Sequence, residues 1–284
     1  MKKTIVLLLV ALLGYTVAAQ NYVPTQVELN RFYNSTTYVV LEKNPISSYN
    51  FKIQEAVKEN WTITDYEFIS LDQFEELRKD PKNSFLIMTQ VVFEGDKTKA
   101  RYDFLQLLQG KDVFLFEEMP ELVSVPLAYT EVDEEYWVYK LETIVRFIEN
   151  HMELIQKRPD LVDENIFSYY NENAKDVKKK TLYIVHDELE SDVNTLSEIK
   201  DVYPYPVKIV DREDIEEAIK NRDPDVVFLH KVGPYGTRLR ARCYKILIGA
   251  NDANFYYFDY HNIIKGRRPD GFLKKDFKKI AKDR

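Results

Sequence analysis

Glycine is scarce in this sequence, with eight among 284 residues. So few leave little room for glycine-rich phosphate loops or long flexible linkers, and no Walker loop, dinucleotide fingerprint, HExxH or G-x-S-x-G stretch occurs. The absence of such motifs argues against a familiar enzyme class, and no cofactor or metal is expected. Cysteine is scarcer still: the one Cys243 cannot close an internal disulfide, so the fold must rest on its core. Cys243 lies on the apolar side of an alternating stretch, which predicts a buried, inert thiol. After the first nineteen residues, no uncharged apolar run reaches the length of a membrane span.

What is present suits a folded, sheet-rich protein. Hydrophobic residues make up 45% and charged residues 31% of the chain, with 20 Tyr and 16 Phe. The length admits two modest domains. At the start, Lys2 and Lys3 precede the apolar run Ile5 to Leu13, and Val17-Ala18-Ala19 offers small residues for cleavage. Residues 1–19 therefore read as a signal peptide, and the mature chain is expected to be periplasmic or secreted with no membrane span. Charge is divided unevenly. From Leu229 onward, 14 basic residues stand against five acidic ones, a net +9, while the remainder carries −16. Such a split marks either an anionic partner or two halves that attract each other.

The chain repeats itself. Phe74 to Val92, FEELRKDPKNSFLIMTQVV, is echoed by Ile215 to Pro234, IEEAIKNRDPDVVFLHKVGP. Both run from an acidic helix through Asp-Pro into a strand centred on Phe-Leu. In the first half, Thr37 to Leu41, Tyr66 to Ile69 and Ser84 to Phe93 read as strands. Ser70 and Gln73 form a capping box for the helix that Asp80-Pro81 stops. Alternation over Lys97 to Phe104 predicts a fourth strand, and Val113 to Phe116 a fifth. In the second half, Thr181 to Val185, Pro206 to Val210 and Val226 to His230 are the first three strands. The stretch around Arg238 to Cys243 and Phe255 to Phe258 supply the last two. Trp137, Leu141, Ile144, Ile148, Met152 and Ile155 recur at helical spacing between the halves. The fold class is thus α/β: a tandem duplication of a β-α-β-α-β-β-β mixed-sheet domain (20–125 and 179–284) joined by a helical connector (126–178).

Two sets of residues are candidates for chemistry. His186, His230 and His261 fall at the ends of the first, third and last strands of the second repeat. In a 2-1-3-4-5 sheet these ends share the edge where ligands collect. Asp187 and Asp259 would join them as acid-base partners or ligands, although about 10 Å separates strands three and five. Strand-end histidines that bond locally are the plainer reading. His151, on the connector helix, reads as a surface or packing residue. The second set is a basic row, Arg238, Arg240 and Arg242 with Lys231 nearby, echoed by Lys97, Lys99 and Arg101. Guanidinium groups at alternate positions suit phosphate, sulfate or a carboxylated glycan, and equally the solvated face of a sheet. Nucleic acid does not fit an exported chain of pI about 5.4.

Tyr66-Glu-Phe-Ile69, Ser84-Phe-Leu86, Met119-Pro-Glu-Leu122, Tyr169-Tyr-Asn-Glu-Asn173 and Phe228-Leu-His-Lys-Val-Gly-Pro234 resemble a family of exported proteins of Bacteroidetes. The resemblance implies a Gram-negative envelope setting and no particular activity. In element order alone, each half also resembles the amino-terminal α/β domain of the Tol-system propeller protein. The leading expectation is a non-catalytic envelope protein that binds a partner through its lobes, with strand addition as the mode. The alternative is an enzyme or small anionic-ligand receptor using the histidines and arginines of the second repeat.

Overall fold

The computed structural model describes residues 16–18, 22–93, 96–163, 165–236, 240–265 and 267–282. Most of the expected signal peptide (1–15 and 19) lies outside these residues, as does Arg238. Two elements precede the first unit, β1 (Thr16–Ala18) and α1 (Gln26–Phe32). The unit itself is β2 (Thr36–Leu41), α2 (Ser48–Asn60), β3 (Asp65–Ser70), α3 (Leu71–Leu77), β4 (Asn83–Val92), β5 (Arg101–Gln109) and β6 (Glu121–Tyr129). The connector holds α4 (Leu141–Lys157) and α5 (Ile166–Asn171). The second unit is β7 (Thr181–Val185), α6 (Leu196–Lys200), β8 (Val207–Val210), α7 (Arg212–Lys220), β9 (Val226–Val232), β10 (Arg242–Gly249) and β11 (Phe255–Asn262), closed by α8 (Lys274–Ala281).

The strand orders are β3-β2-β4-β5-β6 and β11-β10-β9-β7-β8. Counted within each unit, both are 2-1-3-4-5, with parallel pairs at the start and antiparallel pairs at the end. The chain is a tandem α/β duplication. Local signals set the helix starts. Ser70 accepts from the Gln73 amide while the Gln73 side chain accepts from Ser70, and Asp214 does the same for the Asp211 amide.

Two strands depart from the sequence reading. The fourth begins at Arg101, because Lys99 takes a φ of 51° that breaks the extended run. The fifth is Glu121–Tyr129, crossing position 125. Val113 to Phe116 lies in the preceding loop, where Phe116 packs on Phe74 and Phe114 stays 90% exposed. Pro126 disguises the true strand. It is tolerated because β6 is an edge, with β5 as its partner and a bulge between Asp103 and Phe104.

The connector binds both units, as its apolar stripe predicts. Ile144, Ile148, Met152 and Ile155 are buried in a core that also takes in α2, Phe228 and Phe255. Glu149 accepts from the Thr62 and Ile63 amides of the first unit, at 2.6 and 2.9 Å. Arg146 and Asn150 donate to the Ala250 and Asp252 carbonyls of the second, at 3.1 and 2.8 Å. A second core joins Phe85 and Phe104 directly to Cys243 and Tyr244. A third lies beneath α8, where Phe277 and Ile280 are buried, each contributing roughly 1.5–3 kcal/mol.

Candidate functional site

The three histidines do not converge. His186 follows β7 at the surface. His230 is fully buried within β9, its Nε2 2.9 Å from the Pro126 carbonyl of β6. His261, near the end of β11, places Nε2 2.8 Å from the Pro269 carbonyl. Each buried ring thus donates to the carbonyl of a different proline and stays neutral. Burial, reinforced by the nearby Lys140 ammonium, pushes the His230 pKa down to about 3, and burial lowers that of His261. Among the described residues no group of three or more His, Cys, Asp or Glu is placed to hold a metal ion.

The expected acidic partners have other engagements. Asp187 meets Arg212 at 3.3 Å, and Asp259 is bonded by Lys279 and by the Tyr257 hydroxyl. Cys243 is buried as expected, which pushes its thiol pKa up and leaves it unreactive. His151 is a packing residue, 2.8 Å from the Tyr170 hydroxyl.

Register corrects the recurrence of the basic row. In the third strands, Ile87 and His230 stand at the same step after the shared Phe-Leu. Ile87 pairs with Gln106, and His230 pairs with Ile246. Carried along β5 and β10, this sets Tyr102 against Arg242 and Arg101 against Ala241. Arg101 and Arg242, the members of the two rows that lie on β5 and β10, are one residue out of phase and so sit on opposite faces of equivalent strands. Equivalent positions then meet across the interface. The Tyr102 hydroxyl lies 3.2 Å from the Arg242 carbonyl and bonds its amide, and the Phe104 and Tyr244 rings are 6.0 Å apart. Residues on a two-fold axis behave this way. The Arg242 guanidinium is spent on the same interface, 3.6 Å over the Phe93 ring. Arg240 stays exposed, and with Lys97, Asp96 and Arg242 it lines an open cleft between the units.

Sequence reasoning missed the buried charges at the strand ends of the second sheet. Lys140, just before α4, reaches Glu188 at 2.6 Å and the Leu229 carbonyl at 2.8 Å, with both charged side chains essentially out of water. Burial lowers the Lys140 pKa, and Glu188 opposes that shift. Lys231, expected at a ligand site, instead meets Asp270 at 2.8 Å and lies 3.4 Å over the Tyr235 ring. Burial raises the Asp270 pKa, but Lys231 outweighs it and holds the carboxyl below its usual range. Lys245 meets both oxygens of Asp276 at 2.9 Å with neither residue exposed. Only a lysine on the inner face of a strand could have signalled this in the sequence, and nothing there identifies its partner. The arrangement locks the C-terminal segment and the connector onto the sheet.

The first sheet has a different feature. β5 pairs with β4 over its length from Ser84 to Val92, but on the other edge β2 pairs only from Asn83 to Leu86. Farther along that edge, Gln90, Val91 and Val92 pair in parallel with Thr16, Val17 and Ala18 of β1. The far half of β4 is therefore a strand-accepting slot, filled here by a segment of the expected signal peptide. No helix among the described residues is long and apolar enough to cross a membrane. No known protein family, curated protein or solved structure matches this chain.

Proposed function

We propose that this is an exported, non-catalytic protein of the Gram-negative envelope that binds a protein partner by accepting one of its strands. The observation that carries the reading is the β4 edge at Gln90–Val92, which pairs with Thr16–Ala18. Signal cleavage before Gln20 would remove that strand and expose the backbone donors and acceptors of a three-residue stretch, a ready template for an incoming chain. The buried histidines, each committed to a separate carbonyl, favour a binding role over catalysis.

The test compares amide exchange in chains beginning at Met1 and at Gln20. The Val92 amide faces β1, whereas that of Val91 is turned toward β5. Val92 should therefore exchange faster in the shorter chain, and a synthetic peptide spanning Leu13 to Ala19 should restore protection. Equal protection in both chains, with no effect of peptide, would overturn the proposal. A second reading, capture of a small anion or anionic glycan, draws on the cleft where Lys97, Arg240 and Arg242 meet. It predicts that sulfate or a sulfated oligosaccharide raises the melting temperature and that Arg240→Ala abolishes the shift.

A further inference from the structure

A cavity of about 180 Å³ lies where the start of β6 meets α4, α5 and the Tyr22–Pro24 segment. An apolar site of about 150 Å³ accepts a benzene ring, so this one has room for a single ring with a short substituent. Phe147, Phe167, Tyr170 and Ile155 supply aromatic and aliphatic walls, while Glu121, Asp163 and His151 bring polar groups. His151 is only 7% exposed. Its Nδ1 is taken by the Tyr170 hydroxyl, which leaves Nε2 as the ring's remaining polar atom. Burial pushes the imidazole pKa down to about 4, so the ring is uncharged at neutral pH. Glu121 shares its carboxylate with Gln106 and Ser124. Among the described lining residues there is no Lys or Arg.

This combination selects a ligand by charge. An anion would meet two carboxyl groups and no cation. An uncharged hydrocarbon would leave Glu121 partly desolvated without a counter-charge. An ammonium group supplies charge-assisted hydrogen bonds to the carboxylates, while its aryl group fills the apolar part. We propose that the cavity binds a small monocyclic arylalkylamine, with the ring against Phe147, Phe167 and Tyr170 and the ammonium against Glu121 and Asp163.

The experiment titrates the purified protein at pH 8, where Glu121, raised to about 7 by burial, is ionised, with 2-phenylethylamine, 3-phenylpropionate and ethylbenzene, using calorimetry and the NMR signals of His151 and Phe147. The amine should bind at least tenfold more tightly than the acid or the hydrocarbon and shift both signals. Glu121→Gln should cost the amine tenfold or more and leave ethylbenzene nearly unchanged. Ser124→Phe, which fills the space, should abolish binding of all three. Equal binding of the acid and the amine, or amine binding that Glu121→Gln does not weaken, would overturn the proposal. So would binding without movement of the His151 and Phe147 signals. Should Glu121→Gln fail to fold, Asp163→Asn takes its place: a loss of about threefold for the amine alone supports the site, and no loss overturns it.

Discussion

The two sheets share a strand order yet stabilise their interiors by different means. In the first, the buried polar groups on the sheet are mostly uncharged. The Ser35, Thr37 and Ser84 hydroxyls bond one another at 2.8 Å, and Thr89 bonds Gln106. In the second, Lys231 and Lys245 stand directly opposite each other on β9 and β10, where the first sheet has Met88 opposite Leu105. Two like charges across a ladder repel, and here each is neutralised by an aspartate from the segment after β11. One copy kept a nearly self-sufficient sheet, while the other became dependent on its C-terminal tail.

The largest effect that would break this contrast is loss of a tail carboxylate. Asp276→Ala leaves the buried Lys245 ammonium with only the more distant Asp259 carboxylate at 3.9 Å, and should cost about 3–5 kcal/mol in chemical denaturation. The double change Lys245→Leu/Asp276→Leu imitates Leu105 of the first sheet. It should recover most of that loss, and a double variant as unstable as the single one would show that the ion pair is not the cause. Lys140→Met should cost a comparable amount, about 3 kcal/mol, because it strands Glu188 and frees the Leu229 carbonyl.

The pH dependence sharpens the same comparison, since the two units titrate in opposite directions. In the first, burial raises Glu121 to about 7 and Asp103 to about 6. Between the unfolded carboxyl pKa near 4 and those values, the folded chain holds more protons than the unfolded one, so these groups make stability fall as pH rises. In the second, His230 at about 3 makes the folded chain hold fewer protons below about 6.5, so its contribution rises with pH across that window. Urea midpoints from pH 4 to 8 should therefore show Glu121→Gln reducing the decline above pH 5 and His230→Leu reducing the acid loss. The smallest contrast is between the basic rows. Arg242→Ala removes a stacked guanidinium and should cost about 1–2 kcal/mol, whereas exposed Arg101→Ala should stay within about 0.5 kcal/mol.

The duplication was legible because its signals are local: capping boxes, Asp-Pro stops, and a Phe-Leu centre repeated at the third strand. The fifth strand of the first unit was not, since a continuous apolar run at Val113 to Phe116 outweighed a true strand interrupted by Pro126. Edge position decides whether proline is permitted, and edge position is a tertiary fact. The histidines were placed near the right strand ends, but their partners come from elsewhere: Pro126 is 104 residues from His230. Phase was the other failure. Alternation reveals that a strand has two faces, but only the pairing of Ile87 with Gln106 and His230 with Ile246 fixes which face each arginine occupies. The buried lysines went unnoticed for the same reason, because Asp270 and Asp276 become their counter-ions only after the tail folds back.

The meeting of Tyr102 with Arg242 also governs which halves can embrace. A chain assembled from two first units would lack the guanidinium that rests on Phe93 at that spot. One built from two second units would lose both that ring and the hydroxyl with which Tyr102 ties down the Arg242 backbone. Divergence at this one pair makes the halves complementary and no longer interchangeable, which favours docking with the mate on the same chain over exchange with a neighbouring molecule.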